Sequence, residues 1–161
     1  RDSSTSRGLG DVYKRQGKDV CVAMLDIDFF KKVNDTYGHD KGDMVLRTLS
    51  RVISQYTDDT IHAGRYGGEE FLILFSGYTR KQAGKILEGM LTNFRNQEYD
   101  FLPEDVIITF SAGFTYLDNK NIDVEGFIKC ADEALYYSKE HGRNQITYYN
   151  DLRLRDMQVN R

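Results

Sequence analysis

The 161 residues are 40% hydrophobic and 29% charged, which fits one domain with a single sizeable core. A formal net charge of −3 offers no basic field for a nucleic-acid backbone, and no apolar run approaches the roughly 20 residues that span a bilayer. The two cysteines, Cys21 and Cys130, make no metal-type spacing, and the N-terminus shows no secretory pattern, so both read as free thiols of a reducing cytoplasm.

Residues 1–16 show neither a helical nor a strand period. They are similar to the translated adapter text found at the ends of truncated environmental gene fragments, and are set aside as a non-native or disordered leader. The domain is expected over 17–150, with 151–161 as a frayed tail. Val20-Cys21-Val22-Ala23-Met24-Leu25 is a nearly unbroken apolar run, which predicts a central strand covered on both faces. It ends in Asp26-Ile27-Asp28, and a carboxylate at the end of the most buried strand needs a partner or a metal. The stretch 33–40 reads as a polar connection broken by Gly38. A helix is predicted over about 41–56, with Val45, Leu49, Val52, Ile53 and Tyr56 on one stripe. Asp40 suits its N-cap, and Asp43 suits its first turn, where the helix dipole favours a carboxylate.

Strands are predicted over 60–66 and 70–75, joined at Gly67-Gly68 by a tight hairpin turn whose glycines would supply positive φ. Glu69 and Glu70 then leave on alternating faces of the next strand. Taken alone, this is a hairpin with solvated glutamates. Thr79 and Gln82 form a capping box for a helix that turns Ala83, Ile86, Leu87, Met90, Leu91 and Phe94 to one face. A loop holding Pro103 leads to a β-branched and aromatic strand over 106–116. Asp123 opens another helix with Val124, Phe127, Ile128, Ala131 and Leu135 inward, and Gly142 stops it. A last short strand covers 145–149. The fold class expected is α/β in the α+β sandwich sense. It has a ferredoxin-like βαββαβ core, an extra C-terminal helix and strand, and a mixed sheet flanked by helices.

In a ferredoxin-like sheet the first strand lies beside the strands of the hairpin, so Asp26 and Glu69 are expected to converge at one sheet edge. Two carboxylates brought together repel unless a cation sits between them. Oxygen ligands suit Mg²⁺, which keeps several waters and completes its shell with substrate phosphates. Lys31 is placed to pair with such phosphates, and the amides of Phe29 and Phe30 to form a small anion nest.

Gly-Gly-Glu-Glu-Phe at 67–71, Asp-Ile-Asp-Phe-Phe-Lys at 26–31 and Asn-Asp-Thr-Tyr-Gly-His-Asp-Lys-Gly-Asp at 34–43 together resemble the GGDEF family of bacterial diguanylate cyclases. Ala-Asp-Glu-Ala-Leu-Tyr-Tyr-Ser-Lys-Glu-His-Gly-Arg-Asn at 131–144 is similar to that family's C-terminal pattern. Four motifs in the family's order carry the resemblance across about 20–149. It implies condensation of two GTP molecules into cyclic di-GMP with release of two pyrophosphates, between two antiparallel subunits in a transient homodimer. By resemblance, Asp26, Glu69 and the Ile27 carbonyl are the protein's share of a Mg²⁺ site, with Mn²⁺ as an alternative ion. Glu69 is also the first choice as acceptor of the 3′-hydroxyl proton, with Glu70 the runner-up. Lys31 resembles the residue that stabilises the phosphoryl transition state. Lys139 and Arg143 resemble the pair that grips the β- and γ-phosphates. Asn34 and Asp43 resemble the guanine readers, with His39 near the nucleotide, and Asp28 is expected to be structural.

Two departures from the family pattern matter. Where the family often has an Arg-x-x-Asp product-inhibition site, Asp58-Asp59-Thr60-Ile61 has no arginine, so that site is expected to be absent. Arg7-Gly8-Leu9-Gly10 is a poor echo of the Leu-Thr-Gly-Leu-x-Asn-Arg stretch that usually precedes the first strand. The domain is therefore expected to lack its first helix and a preceding sensor domain. The expected setting is cytoplasmic, with no nucleic-acid partner and no membrane contact by this stretch, though a longer parent could carry an anchor. The rival reading is a catalytically silent module that senses GTP or scaffolds a partner.

Overall fold

The computed structural model describes residues 7–8, 19–117, 123–152 and 155, so the expected leader and tail lie almost wholly outside the described residues. Five strands, β1 (Val20–Ile27), β2 (Ile61–Arg65), β3 (Glu70–Ser76), β4 (Phe110–Leu117) and β5 (Ile146–Tyr148), form one sheet in the order β2-β3-β1-β4-β5. The first four pair antiparallel in the ferredoxin-like manner, and β5 adds parallel to β4. The helices are α1 (Phe30–Tyr37), α2 (His39–Ser54), α3 (Arg80–Arg95) and α4 (Val124–Glu140). The mixed sheet flanked by helices is the fold class expected from the sequence.

β1 is apolar at nearly every position because both of its faces are covered. Cys21, Ala23, Leu25 and Ile27 pack in a core with Val45, Leu49 and Val52 of α2 and Leu87, Met90 and Phe94 of α3. The alternate residues Val20, Val22 and Met24 pack instead with Ile128, Ala131 and Leu135 of α4. Thr79 and Gln82 close the expected capping box on α3, each side chain bonding the other's backbone amide. Asp123 caps α4, and Gly142 at φ 109 lies just past its end, as glycine at that position should.

Several expectations need correction. The polar connection after β1 is largely helical: α1 occupies Phe30–Tyr37. It is only eight residues long with no side-chain cap, too short to hold alone, and it is kept by packing against α2 and by Val33, Phe30 and Tyr37 at the core. Gly38, at φ 95, separates the two helices and takes the N-cap place of α2 that was assigned to Asp40. Asp40 lies in the first turn of α2 and Asp43 beyond it. The hairpin is wider than a two-residue turn, with Tyr66 and Gly67 both donating to the Glu70 carbonyl. Neither Gly67 nor Gly68 has the positive φ expected of a tight hairpin turn. β4 begins at Phe110 rather than Val106, leaving Val106 and Ile107 exposed in the preceding loop.

Candidate functional site

The C-terminal end of β1 gathers the acidic residues. Asp26 stands opposite Glu70 in the β1–β3 register, and the Ile27 amide donates to the Glu69 carbonyl at 3.3 Å. That bond ties the hairpin turn to the strand end and brings both glutamates, each half-buried, toward Asp26. The Asp26 side chain is 7% exposed and accepts a 2.6 Å charged hydrogen bond from Lys139 Nζ near the end of α4. Burial, with a smaller push from the charges of Glu69 and Glu70, holds the Asp26 carboxyl up at about 6 against the pull of Lys139. Both glutamates thus lie near enough for their charges to act on Asp26.

The raised value has a measurable consequence. The folded protein takes up a proton at Asp26 between about pH 4 and pH 6, where the unfolded chain does not. This group therefore adds to stability at acid pH, and that contribution is lost as pH rises through about 6. In cation-free protein, the carboxyl-carbon NMR shift of Asp26 is expected to titrate near pH 6. A midpoint at or below 4, the unperturbed range, would contradict the buried setting.

Asp28, two residues on, is a structural hub. Its carboxylate is buried and accepts 2.6 Å hydrogen bonds from Thr109 Oγ1 and Ser111 Oγ, and one of 3.0 Å from the Asn144 backbone N–H. Arg143 Nη1 lies 3.8 Å away, and the Arg143 guanidinium also stands over the Phe29 ring at 4.6 Å. Arg143 and Asn144 both adopt left-handed conformations, at φ 62 and 49, as the chain turns back from α4 to meet Asp28. Thus Lys139 and Arg143, assigned to phosphates from the sequence, reach the two aspartates of the Asp-Ile-Asp turn.

The remaining expected residues line the helices beside that turn. Phe29 is the N-cap of α1 in a left-handed conformation and is 60% exposed. Phe30 and Lys31 follow in the first turn, whose amides have no intrahelical acceptors, and Lys31 is exposed. Asn34 on α1 faces Gly42 on α2, while His39 and Asp43 lie exposed on α2. Beside the hairpin, nothing lies within 4 Å of where a Cβ on Gly68 would project, so the backbone there is open to close approach.

Among the described residues, no group of three or more His, Cys, Asp or Glu side chains is arranged to hold a metal by itself. Mg²⁺ does not require such a cage, because one or two carboxylates with waters and substrate phosphates suffice. The donor set fits that ion: a buried carboxylate with two more acids beside it, already holding a lysine ammonium as counter-charge. Thr109, Ser111, Asn144 and Gly42 were missed as parts of this region. Gly42 and Asn144 lie inside the quoted motifs without a stated role, side-chain polarity within a strand marked Ser111, and nothing local marked Thr109. Asp58, where an inhibitory arginine would stand, instead accepts from the Thr60 and Ile61 amides and the Thr60 hydroxyl in a tight local turn.

Fold and site together define an α+β domain with a carboxylate cluster at one end of its central strand. The model of the "Diguanylate cyclase, GGDEF domain" family matches residues 2–145. Diguanylate cyclase A of Treponema denticola is 36% identical over 131 residues, which are 80% of this chain and 34% of that protein. The GGDEF domain of DgcB from Caulobacter crescentus, solved in complex with c-di-GMP, superposes with a TM-score of 0.79 at 32% identity, covering 92% of this chain and 88% of that one. The active GGEEF domain of a diguanylate cyclase from Vibrio cholerae gives 0.77 at 32% identity, covering 91% and 92%. The chain belongs to the GGDEF-domain family of diguanylate cyclases. It spans well under half the length of the curated relatives it matches. No helix among the described residues is long and apolar enough to cross a membrane.

Proposed function

We propose that this domain is a diguanylate cyclase that condenses two GTP molecules into cyclic di-GMP at a site shared by two antiparallel copies. The observation that carries the reading is the convergence of Asp26, Glu69 and Glu70 at one end of β1, on a fold of this family. Asp26, Glu69 and the Ile27 carbonyl would hold Mg²⁺, or Mn²⁺ in its place. The ion would neutralise charge on the transferring phosphate and its leaving group.

The chain's own residues do the rest. Asn34 and Asp43 read the guanine edge, the carboxylate accepting from N1–H and N2–H and the amide meeting O6 or N3. His39 stands near the nucleotide. The α1 amides at Phe29 and Phe30 meet the phosphates at a helix N-terminus. Lys139 and Arg143 exchange their aspartate partners for the β- and γ-phosphates, and Lys31 stabilises charge on the reacting phosphate. The 3′-oxygen of each GTP attacks the α-phosphorus of the other, and the bond to pyrophosphate breaks. Glu69 takes the hydroxyl proton, with Glu70 as the alternative acceptor. Two such transfers release two pyrophosphates and close the ring.

Incubation with Mg²⁺ and GTP followed by chromatography tests this. Cyclic di-GMP is the expected product; cyclic GMP or unchanged GTP would overturn the reading. Because each copy holds one GTP, specific activity should rise with protein concentration while the copies are mostly monomeric. Fusing a coiled-coil dimer in place of residues 1–16 should raise activity further by raising effective concentration. Constant specific activity down to nanomolar protein, with light scattering showing only monomer, would contradict the two-copy site. A circular-dichroism melt alongside confirms that the fusion is folded.

A further inference from the structure

α1 and α2 come close together at Gly42. A Cβ placed on Gly42 would fall 1.7 Å from Asn34 Oδ1, 2.8 Å from Asn34 Cγ and 3.3 Å from Phe30 Cζ. Phe30 and Asn34 are four apart on α1, so both lie over the same spot. Gly42 is buried in α2 and has no positive φ, so nothing in its backbone conformation demands glycine. What demands it is the space above its Cα, which the Asn34 amide fills. Asn34 Oδ1 is buried and has no hydrogen-bond partner. Such an orphaned oxygen carries a cost of its own, which a purely structural residue would have no reason to bear.

We infer that Gly42 is a positioning residue for base recognition: its missing side chain seats Asn34 Oδ1 against α2, so that the amide nitrogen Nδ2 faces the nucleotide. The inference rests on the reading of Asn34 as a guanine contact. With the oxygen turned inward, Asn34 serves the base as a donor and therefore meets O6 or N3, not N1–H or the 2-amino group. Gly42 thus acts only through Asn34. Placing it next to Asp43, the second proposed guanine reader, also sets the spacing between the two recognition groups on one rigid helical hairpin.

Calorimetric binding of 3′-deoxyGTP tests this, since a nucleotide without its 3′-hydroxyl cannot condense. Asn34→Ala is expected to weaken binding about tenfold, as does loss of one buried hydrogen bond. Gly42→Ala should weaken it by at least as much, because the new methyl expels the amide from its seat. In the Asn34→Ala background only Phe30 Cζ, the tip of a side chain at 3.3 Å, still presses on the methyl, so the double variant should bind and melt close to Asn34→Ala alone. With 3′-deoxyITP, which keeps O6 and N3 but lacks the 2-amino group, the Asn34→Ala penalty should be unchanged. Parental affinity in Asn34→Ala would remove the guanine reading itself. A weakened Asn34→Ala beside a Gly42→Ala that binds like the parent would sink the seating role. So would a Gly42→Ala cost that is equal in both backgrounds, or a double variant that fails to fold. A penalty that shrinks with 3′-deoxyITP would reverse the amide's orientation and overturn the donor assignment.

Discussion

Asp26→Asn and Glu69→Gln are each expected to lower cyclic di-GMP synthesis by on the order of a thousandfold while leaving the fold intact. Both replacements keep the shape of the side chain and remove its charge. At Asp26 the separation of function from stability should be sharp. Its carboxyl is buried and pushed up to about 6, so the ionised form is costly at neutral pH. An amide carries no such cost, and the 28%-exposed Lys139 side chain can turn its ammonium to water. The melting temperature of Asp26→Asn at pH 8 should therefore match or exceed that of the parent while turnover collapses. Near-parental synthesis by either variant would remove that carboxylate from the proposed cation site.

Gly113→Ala is expected to be the most damaging single-methyl change in the sheet. A Cβ there would fall 2.1 Å from the Leu135 amide nitrogen, 2.3 Å from the Ala131 carbonyl oxygen and 2.5 Å from the Ala134 carbonyl carbon. All three are backbone atoms of α4, so no side-chain rotation can relieve the clash. The helix must move off the sheet or β4 must bend. Overpacking of this kind costs about 3 kcal/mol, and it displaces the helix that delivers Lys139 to Asp26. Urea unfolding should show that loss, with activity falling alongside. Gly126→Ala is the control: its Cβ would meet only Asp123 side-chain atoms, none closer than 3.4 Å. It should leave stability within about 1 kcal/mol of the parent. A Gly113→Ala protein as stable as the parent would mean that α4 packs less closely on β4 than described.

Regular local pattern was legible from the sequence. β1 could be recognised as a doubly covered strand because Val20 to Leu25 are apolar without a break. The capping box at Thr79, the cap at Asp123 and the stop at Gly142 were legible because each involves residues a few positions apart. α1 was not, since its eight residues carry no cap and are too few for a helical stripe to stand out. The hairpin turn was placed correctly, but its glycines were explained by a backbone angle they do not adopt.

The sequence by itself determined the order of every element but α1, the family resemblance and the acidic residues that would have to be brought together. Only the tertiary structure decided what those residues touch. Lys139 meets Asp26 across 113 positions, and the Asn144 backbone N–H meets Asp28 across 116. Gly113 and Gly42 matter for what lies above them, on helices elsewhere in the chain. The physical reason is one of range. Propensity, capping and periodicity act over a few residues and leave their mark in adjacent letters. Burial, charge pairing and steric clearance depend on which distant segments the folded core presses together, and no local run of residues records that.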